Sequence, residues 1–99
     1  MYTVQASKEF VADFEQIIDD ILQNYTQAYA EKIALMLDIQ LETLKQSPKI
    51  YTTAPFSKNY RRFIIDGKYT AFYKIDEQNH TVILLNIFPS IRDLEVLLK

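Results

Sequence analysis

Apolar residues recur at two periods in this 99-residue chain, and the changeover happens once. From Phe10 to Leu44 they fall every three or four positions; from Tyr60 onward the spacing is two. A period near 3.6 marks a helix with one buried stripe, and a period of two marks a strand with one buried face. The chain is therefore constrained to a helical first half and a sheet-forming second half, an α+β order.

Within the first half, Tyr2–Ala6 reads as a short opening strand. Ser7 is placed to cap a helix running to about Asn24, because its hydroxyl can accept a free N–H of the first turn. The stripe on that helix is Phe10, Phe14, Ile17, Ile18, Ile21, Leu22 and Tyr25, widened by Val11. Asn24-Tyr25-Thr26 interrupts the pattern, and Thr26 can cap a second helix to about Gln46. Its stripe is Tyr29 or Ala30, then Ile33, Ala34, Leu37, Leu41 and Leu44. Pro48 forbids further propagation. A connection this short predicts an antiparallel helical hairpin, and Lys49–Asn59, with Pro55 inside it, reads as a surface connection.

Asp66-Gly67 is the strongest turn signal, since a type I′ hairpin turn needs positive φ at both central positions. A two-residue turn sets Ile65 opposite Lys68 and pairs Ile64 with Tyr69 through to Tyr60 with Tyr73. Parity then places Arg61, Phe63, Ile65, Lys68, Thr70, Phe72 and Lys74 on one face. Tyr60, Arg62, Ile64, Tyr69, Ala71, Tyr73 and Ile75 share the other, the better core face. The next strand, Thr81–Phe88, is apolar at both parities, which predicts burial on both faces and a central position. The Asp76–His80 loop leaves its register open. Ser90-x-x-Asp93 fits an acidic capping box leading into a short helix, Asp93–Leu98. The expected architecture is a single domain, 1–99, of order β-α-α-β-β-β with a short C-terminal helix. Its helical hairpin packs on a small, mainly antiparallel sheet.

Composition removes several function classes. There are no cysteines, one histidine and one glycine. Disulfides, thiol catalysis, thiolate zinc sites and glycine-rich phosphate loops are excluded, and no metal or cofactor is implied. No apolar run reaches membrane-helix length, and the opening residues lack a basic-then-apolar signal pattern; with no targeting segment, a cytoplasmic location is expected. The net charge of −2 hides a segregation. Residues 1–44 carry eight acids against two bases, a net of −6, while 45–74 carry seven bases against Asp66, a net of +6. One basic region of this kind suits phosphates or an acidic protein segment, or is simply a solvated edge. His80 reads as a turn residue and the helix acids as a solvated face.

The candidate functional groups are Arg61 and Arg92 as catalytic cations, with Lys58, Arg62, Lys68, Tyr73 and Lys74 binding a nucleic acid or other target. RNA cleavage by 2′-hydroxyl attack needs a proton acceptor, a donor and cations on the phosphorane oxygens, which Lys, Arg and Tyr can supply. A cation such as Arg92 in a helix's first turn opposes the helix dipole, so local stability does not explain it; pairing with Asp66, Asp76 or Asp93 is the structural alternative.

The segment Arg61-Arg62-Phe63-Ile64-Ile65-Asp66-Gly67-Lys68-Tyr69-Thr70-Ala71-Phe72-Tyr73-Lys74, followed by Asn86-Ile87-Phe88-Pro89-Ser90-Ile91-Arg92-Asp93-Leu94, resembles the RelE/ParE superfamily of bacterial type II toxins, and in particular its ParE-like plasmid-stabilisation branch. Close agreement covers about two fifths of the chain and rests on Gly67, Tyr69, Tyr73 and Arg92-Asp93 within a hydrophobic pattern. Asn86 stands where the branch has a strand arginine, and Pro89-Ser90 where it has a histidine-glycine pair. Arg61 falls where RelE ribonucleases place a basic sheet residue, but Phe63, Thr70, Ser90 and Val96 replace a lysine, two arginines and a tyrosine of that set. The resemblance implies a growth-inhibiting toxin neutralised by a cognate antitoxin, acting on DNA gyrase or on mRNA at the ribosome. A degenerate, non-catalytic binding module on the same scaffold is the alternative.

Overall fold

The computed structural model describes residues 1–90. Strand β1 (Thr3–Ala6) leads into helices α1 (Lys8–Asn24) and α2 (Gln27–Gln46). Four strands follow: β2 (Thr53–Ala54), β3 (Ser57–Ile65), β4 (Tyr69–Asp76) and β5 (Thr81–Pro89). They form one sheet in the order β1-β5-β4-β3-β2, antiparallel except where β1 runs parallel to β5. Both helices pack on one sheet face, giving the two-layer α+β fold expected from the change of period. The expected C-terminal helix and Arg92 lie outside the described residues.

Both helix starts follow from their caps. Ser7 Oγ accepts the Phe10 N–H at 3.0 Å, and Thr26 Oγ1 accepts that of Tyr29 at 3.1 Å. The Ser7 hydroxyl also donates to the Leu85 carbonyl at 2.9 Å, so the cap ties α1 to β5. From α1 the core takes Phe10, Ile17 and Ile21; from α2 it takes Ala30, Ile33, Leu37 and Leu44. Val11, Leu22 and Tyr25, assigned to the buried stripe from spacing, are exposed. They occupy the margin of an arc wider than a two-layer fold covers.

The hairpin departs from the expected register by one residue. Asp66 (φ 53°) and Gly67 (φ 65°) are both left-handed, and the Lys68 N–H donates to the Ile65 carbonyl at 3.0 Å. The turn therefore closes as the Asp-Gly pair predicts. Lys68, however, stays outside the ladder as an extra residue on the return strand, and Ile65 pairs with Tyr69, Phe63 with Ala71 and Arg61 with Tyr73. A one-residue slip moves a whole strand's side chains to the other face relative to its neighbour. Phe63 and Ile65 thus join Ala71 and Tyr73 in the core, all within 2% of full burial. Arg62 and Ile64 go with Thr70, Phe72 and Lys74 to the face away from the helices, called here the open face.

Two further corrections concern position. β4, not β5, occupies the middle of the sheet, although β5 is interior as expected. The Lys49–Asn59 connection contributes an edge strand, β2, whose Thr53 pairs with Arg61 and Ala54 with Ser57.

β1 ends at Ala6, opposite Leu84, so the far half of β5 loses its parallel neighbour. Asp13 of α1 takes over there: its Oδ2 accepts the Ile87 N–H at 3.2 Å and Asn86 Nδ2 at 3.4 Å. Nearby, β5 bulges against β4, with Phe72 opposite Asn86 and Tyr73 opposite Leu84, leaving Leu85 as the additional residue. Asp13→Ala removes the acceptor and leaves a backbone donor short of a partner, a loss of about 1–3 kcal/mol. Equilibrium urea unfolding is expected to show an unfolding free energy lower by that amount and a correspondingly lower midpoint; an unchanged midpoint would mean that the Ile87 N–H is satisfied without Asp13.

Candidate functional site

The open face is an aromatic surface edged with cations. Alternation on β3 sends Lys58, Tyr60, Arg62 and Ile64 to it; β4 contributes Thr70, Phe72 and Lys74, and β5 contributes Asn86 and Phe88. Phe56 reaches it from the β2–β3 turn. Phe56 stacks obliquely on Tyr60 (5.8 Å between centroids) and on Phe72 (5.3 Å), and Phe72 continues to Phe88 at 6.3 Å. The result is a connected aromatic stripe across three strands, bordering a cleft of about 790 Å³. Phe56 is 65% exposed and Phe88 45%, so among the described residues the stripe is left open to solvent. Thr70 and Ser90 close one end of the cleft with a buried hydroxyl–hydroxyl bond of 3.1 Å.

The residues singled out from sequence are dispersed by this geometry. Lys58, Arg62 and Lys74 lie on the open face. Arg61 shares the parity of Phe63, and its guanidinium donates to the carbonyls of Tyr51 (2.6 Å) and Lys49 (3.3 Å), tying the α2–β2 connection to the sheet. Tyr73 is fully buried and its hydroxyl donates to the Pro48 carbonyl at 2.7 Å, so it is a core residue rather than part of the contact surface assigned to it. Lys68 sits at the hairpin tip, its ammonium 5.2 Å from the centre of the Tyr29 ring. Arg92 is outside the described residues. The slipped register is the physical reason for the dispersal: Arg61 and Lys74, expected on one face, point to opposite sides.

Sequence reasoning passed over Phe56 and Phe88, which complete the stripe. Phe56 lies in what reads as a loop, and Phe88 in an apolar run whose register was open; the signal available was an aromatic directly after Pro55. It also passed over a cluster at the hairpin tip. Tyr29 donates to Asp66 Oδ2 at 2.7 Å, and Lys32 lies 3.6 Å from Asp66 Oδ1. Loss of hydration, then the bond to Asp66 and its charge, pushes the Tyr29 pKa up to about 12, while that same bond holds Asp66 below the usual carboxylate value. Burial pushes Tyr73 up to about 12 as well, against the opposing pull of Arg61. Neither phenol supplies a phenolate base near neutral pH.

Comparison with known proteins bears on this geometry. The model of the ParE toxin of the type II toxin–antitoxin system parDE matches residues 4–94. The chain belongs to the ParE toxin family. Among solved structures, this ParE-family chain is similar to one from the chromosomal ParDE system of P. aeruginosa, with a TM-score of 0.74 and 16% identity over 90% of this chain and 96% of that one. It also resembles one from the RelBE2 toxin–antitoxin complex of Mycobacterium tuberculosis (TM-score 0.64, 19% identity, 90% and 98% covered) and the isolated E. coli RelE toxin (0.64, 11%, 97% and 96%). At these identities the likeness is one of fold. No curated protein matches the chain by sequence. Among the described residues no helix is long and apolar enough to cross a membrane, and no group of three or more metal-ligating side chains occurs.

The titrating groups give a pH signature. A raised tyrosine pKa contributes stability that is fully present below the unfolded value near 10 and is lost as pH climbs through about 12. A depressed aspartate pKa contributes stability present above the unfolded value near 4 and lost as pH falls through the folded one. Melting temperature should therefore decline at both ends of a pH series. Tyr29→Phe is expected to flatten both declines, and Tyr73→Phe only the alkaline one. Profiles parallel to the parent in both variants would contradict these assignments.

Proposed function

We propose that this ParE-family chain arrests growth by binding a protein target, DNA gyrase, through the open face, and that a cognate antitoxin neutralises it. The aromatic stripe Phe56–Phe72–Phe88, bordered by Tyr60 and Arg62, carries the reading. Aromatic residues and arginine are the types that dominate the energetics of protein interfaces, because they remove much apolar area while keeping a polar handle. Lys58, Arg62 and Lys74 supply charge that orients an acidic surface and speeds its approach.

Ribonuclease action on the ribosome requires a proton acceptor, a donor and phosphate-stabilising cations in one place. Arg61 is committed to backbone carbonyls, Tyr73 is sealed in the core and Tyr29 is bonded to Asp66 at the hairpin tip. The described residues on the open face are better suited to contact than to proton transfer. A paired antitoxin is supported by the similar folds, which come from the ParDE system of P. aeruginosa and the RelBE2 complex of M. tuberculosis.

Expression of the chain alone in a bacterial host tests this. Growth arrest with intact mRNA and an SOS response is expected, with loss of gyrase supercoiling by the purified chain. Phe72→Asp, which places a charge in the middle of the stripe, is expected to reduce toxicity at least tenfold while the melting temperature stays within a few degrees, since Phe72, though partly buried, lies outside the core between sheet and helices. Arg92→Ala is also expected to weaken toxicity without unfolding. Transcripts cut at ribosomal A-sites would overturn the gyrase assignment, and unimpaired growth with soluble protein would favour a binding module without toxicity.

A further inference from the structure

Each molecule carries two exposed patches of matching apolar character and opposite charge, on opposite sides of the fold. One is the open face, where Phe56, Phe72 and Phe88 lie among Lys58, Arg62 and Lys74. The other is the outer side of α2. Leu35 and Ile39, one turn apart, are 60% and 56% exposed, and Glu31 and Asp38 flank them. They occupy the side of α2 opposite the buried Ile33 and Leu37. Lys32, which shares this outer side, is paired with Asp66 and subtracts little from its negative character.

We infer that the free chain associates with copies of itself head to tail, the open face of one copy receiving the outer side of α2 of the next. Charge decides this arrangement over its rivals. A two-fold pairing of open faces would set Lys58, Arg62 and Lys74 against their own copies, and a two-fold pairing of α2 faces would do the same with Glu31 and Asp38. Like charges brought together across an interface disfavour it, whereas the heterologous contact brings Lys58, Arg62 and Lys74 onto Glu31 and Asp38. Because the patches sit on opposite sides of the two layers, one copy cannot satisfy its own. A heterologous contact then grows beyond two chains, as a ring or an open row. Such assembly hides the open face, and a partner binding that face would cap it. This contact is independent of what the chain's cellular target is.

The test is the mass of the purified full chain by sedimentation at rising concentration, in about 0.05 M and about 0.5 M salt, where at the higher value exposed charges more than about 4–5 Å apart are screened. At low salt the average mass is expected to climb past two chains; at high salt it should fall toward the 11.7 kDa monomer. Lys58→Glu/Lys74→Glu spoils only the basic patch and Glu31→Lys/Asp38→Lys only the acidic one, all at exposed positions. Each double variant alone is expected to stay monomeric, at least tenfold weaker in association. Mixed in equal amounts, the two intact patches can meet and the two charge-reversed patches also complement each other, so the mixture should again climb past two chains, with the variants alternating. A parent chain that is monomeric throughout or stops at a dimer would overturn the proposal. So would double variants that assemble like the parent, or a mixture that stays monomeric.

Discussion

Lys68 stands outside the ladder between β3 and β4, and the side-chain placement on both strands depends on that one extra residue. The Asp66-Gly67 turn closes on the Ile65 carbonyl, and Tyr29 holds its carboxylate from α2. With Lys68 bulged out, Phe63 and Ile65 face the helices beside Ala71 and Tyr73, completing a core to which both halves of the hairpin contribute. The same step sends Arg62, Ile64, Phe72 and Lys74 outward together. The Lys68 carbonyl then accepts the Ser90 N–H at 2.9 Å, so the hairpin tip also fixes the end of β5. The core and the open face are two consequences of one register.

Much of this fold was legible because its signals are local. Ser7 and Thr26 act through bonds three residues away, and the two helices start where those caps place them. The turn was legible for the same reason, since positive φ at Asp66 and Gly67 is a property of two residues. Register was not. Both the two-residue hairpin and the bulged one use that turn, and the choice rests on Phe63 and Ile65 gaining burial against α1 and α2, which parity alone does not weigh. The Leu85 bulge and the edge strand β2 are likewise settled by neighbours distant in sequence, Asp13 and Arg61 among them.

The site is less legible than the fold, for the same reason. Simple alternation groups Arg61 with Lys68 and Lys74, a parity that the bulge reverses; Arg61 tethers the chain between α2 and β2. Tyr73 supplies a buried bond to the Pro48 carbonyl. Lys58, Arg62 and Lys74 remain where a partner can reach them, with aromatic rings between them. A surface of that composition gains most from desolvating rings against a complementary protein and least from stabilising a phosphorane, which needs donors converging on one point. The role proposed for the open face of this ParE-family chain is accordingly recognition.

Hydroxyl-radical footprinting of the chain with and without DNA gyrase tests that assignment most directly, because ring oxidation follows side-chain exposure. Phe56 and Phe88, at 65% and 45% exposure, should lose most of their reactivity on binding. Tyr25, 66% exposed at the junction of the two helices, should keep its own. Protection of Tyr25 with Phe56 and Phe88 unchanged would place the contact on the helical layer and contradict the account.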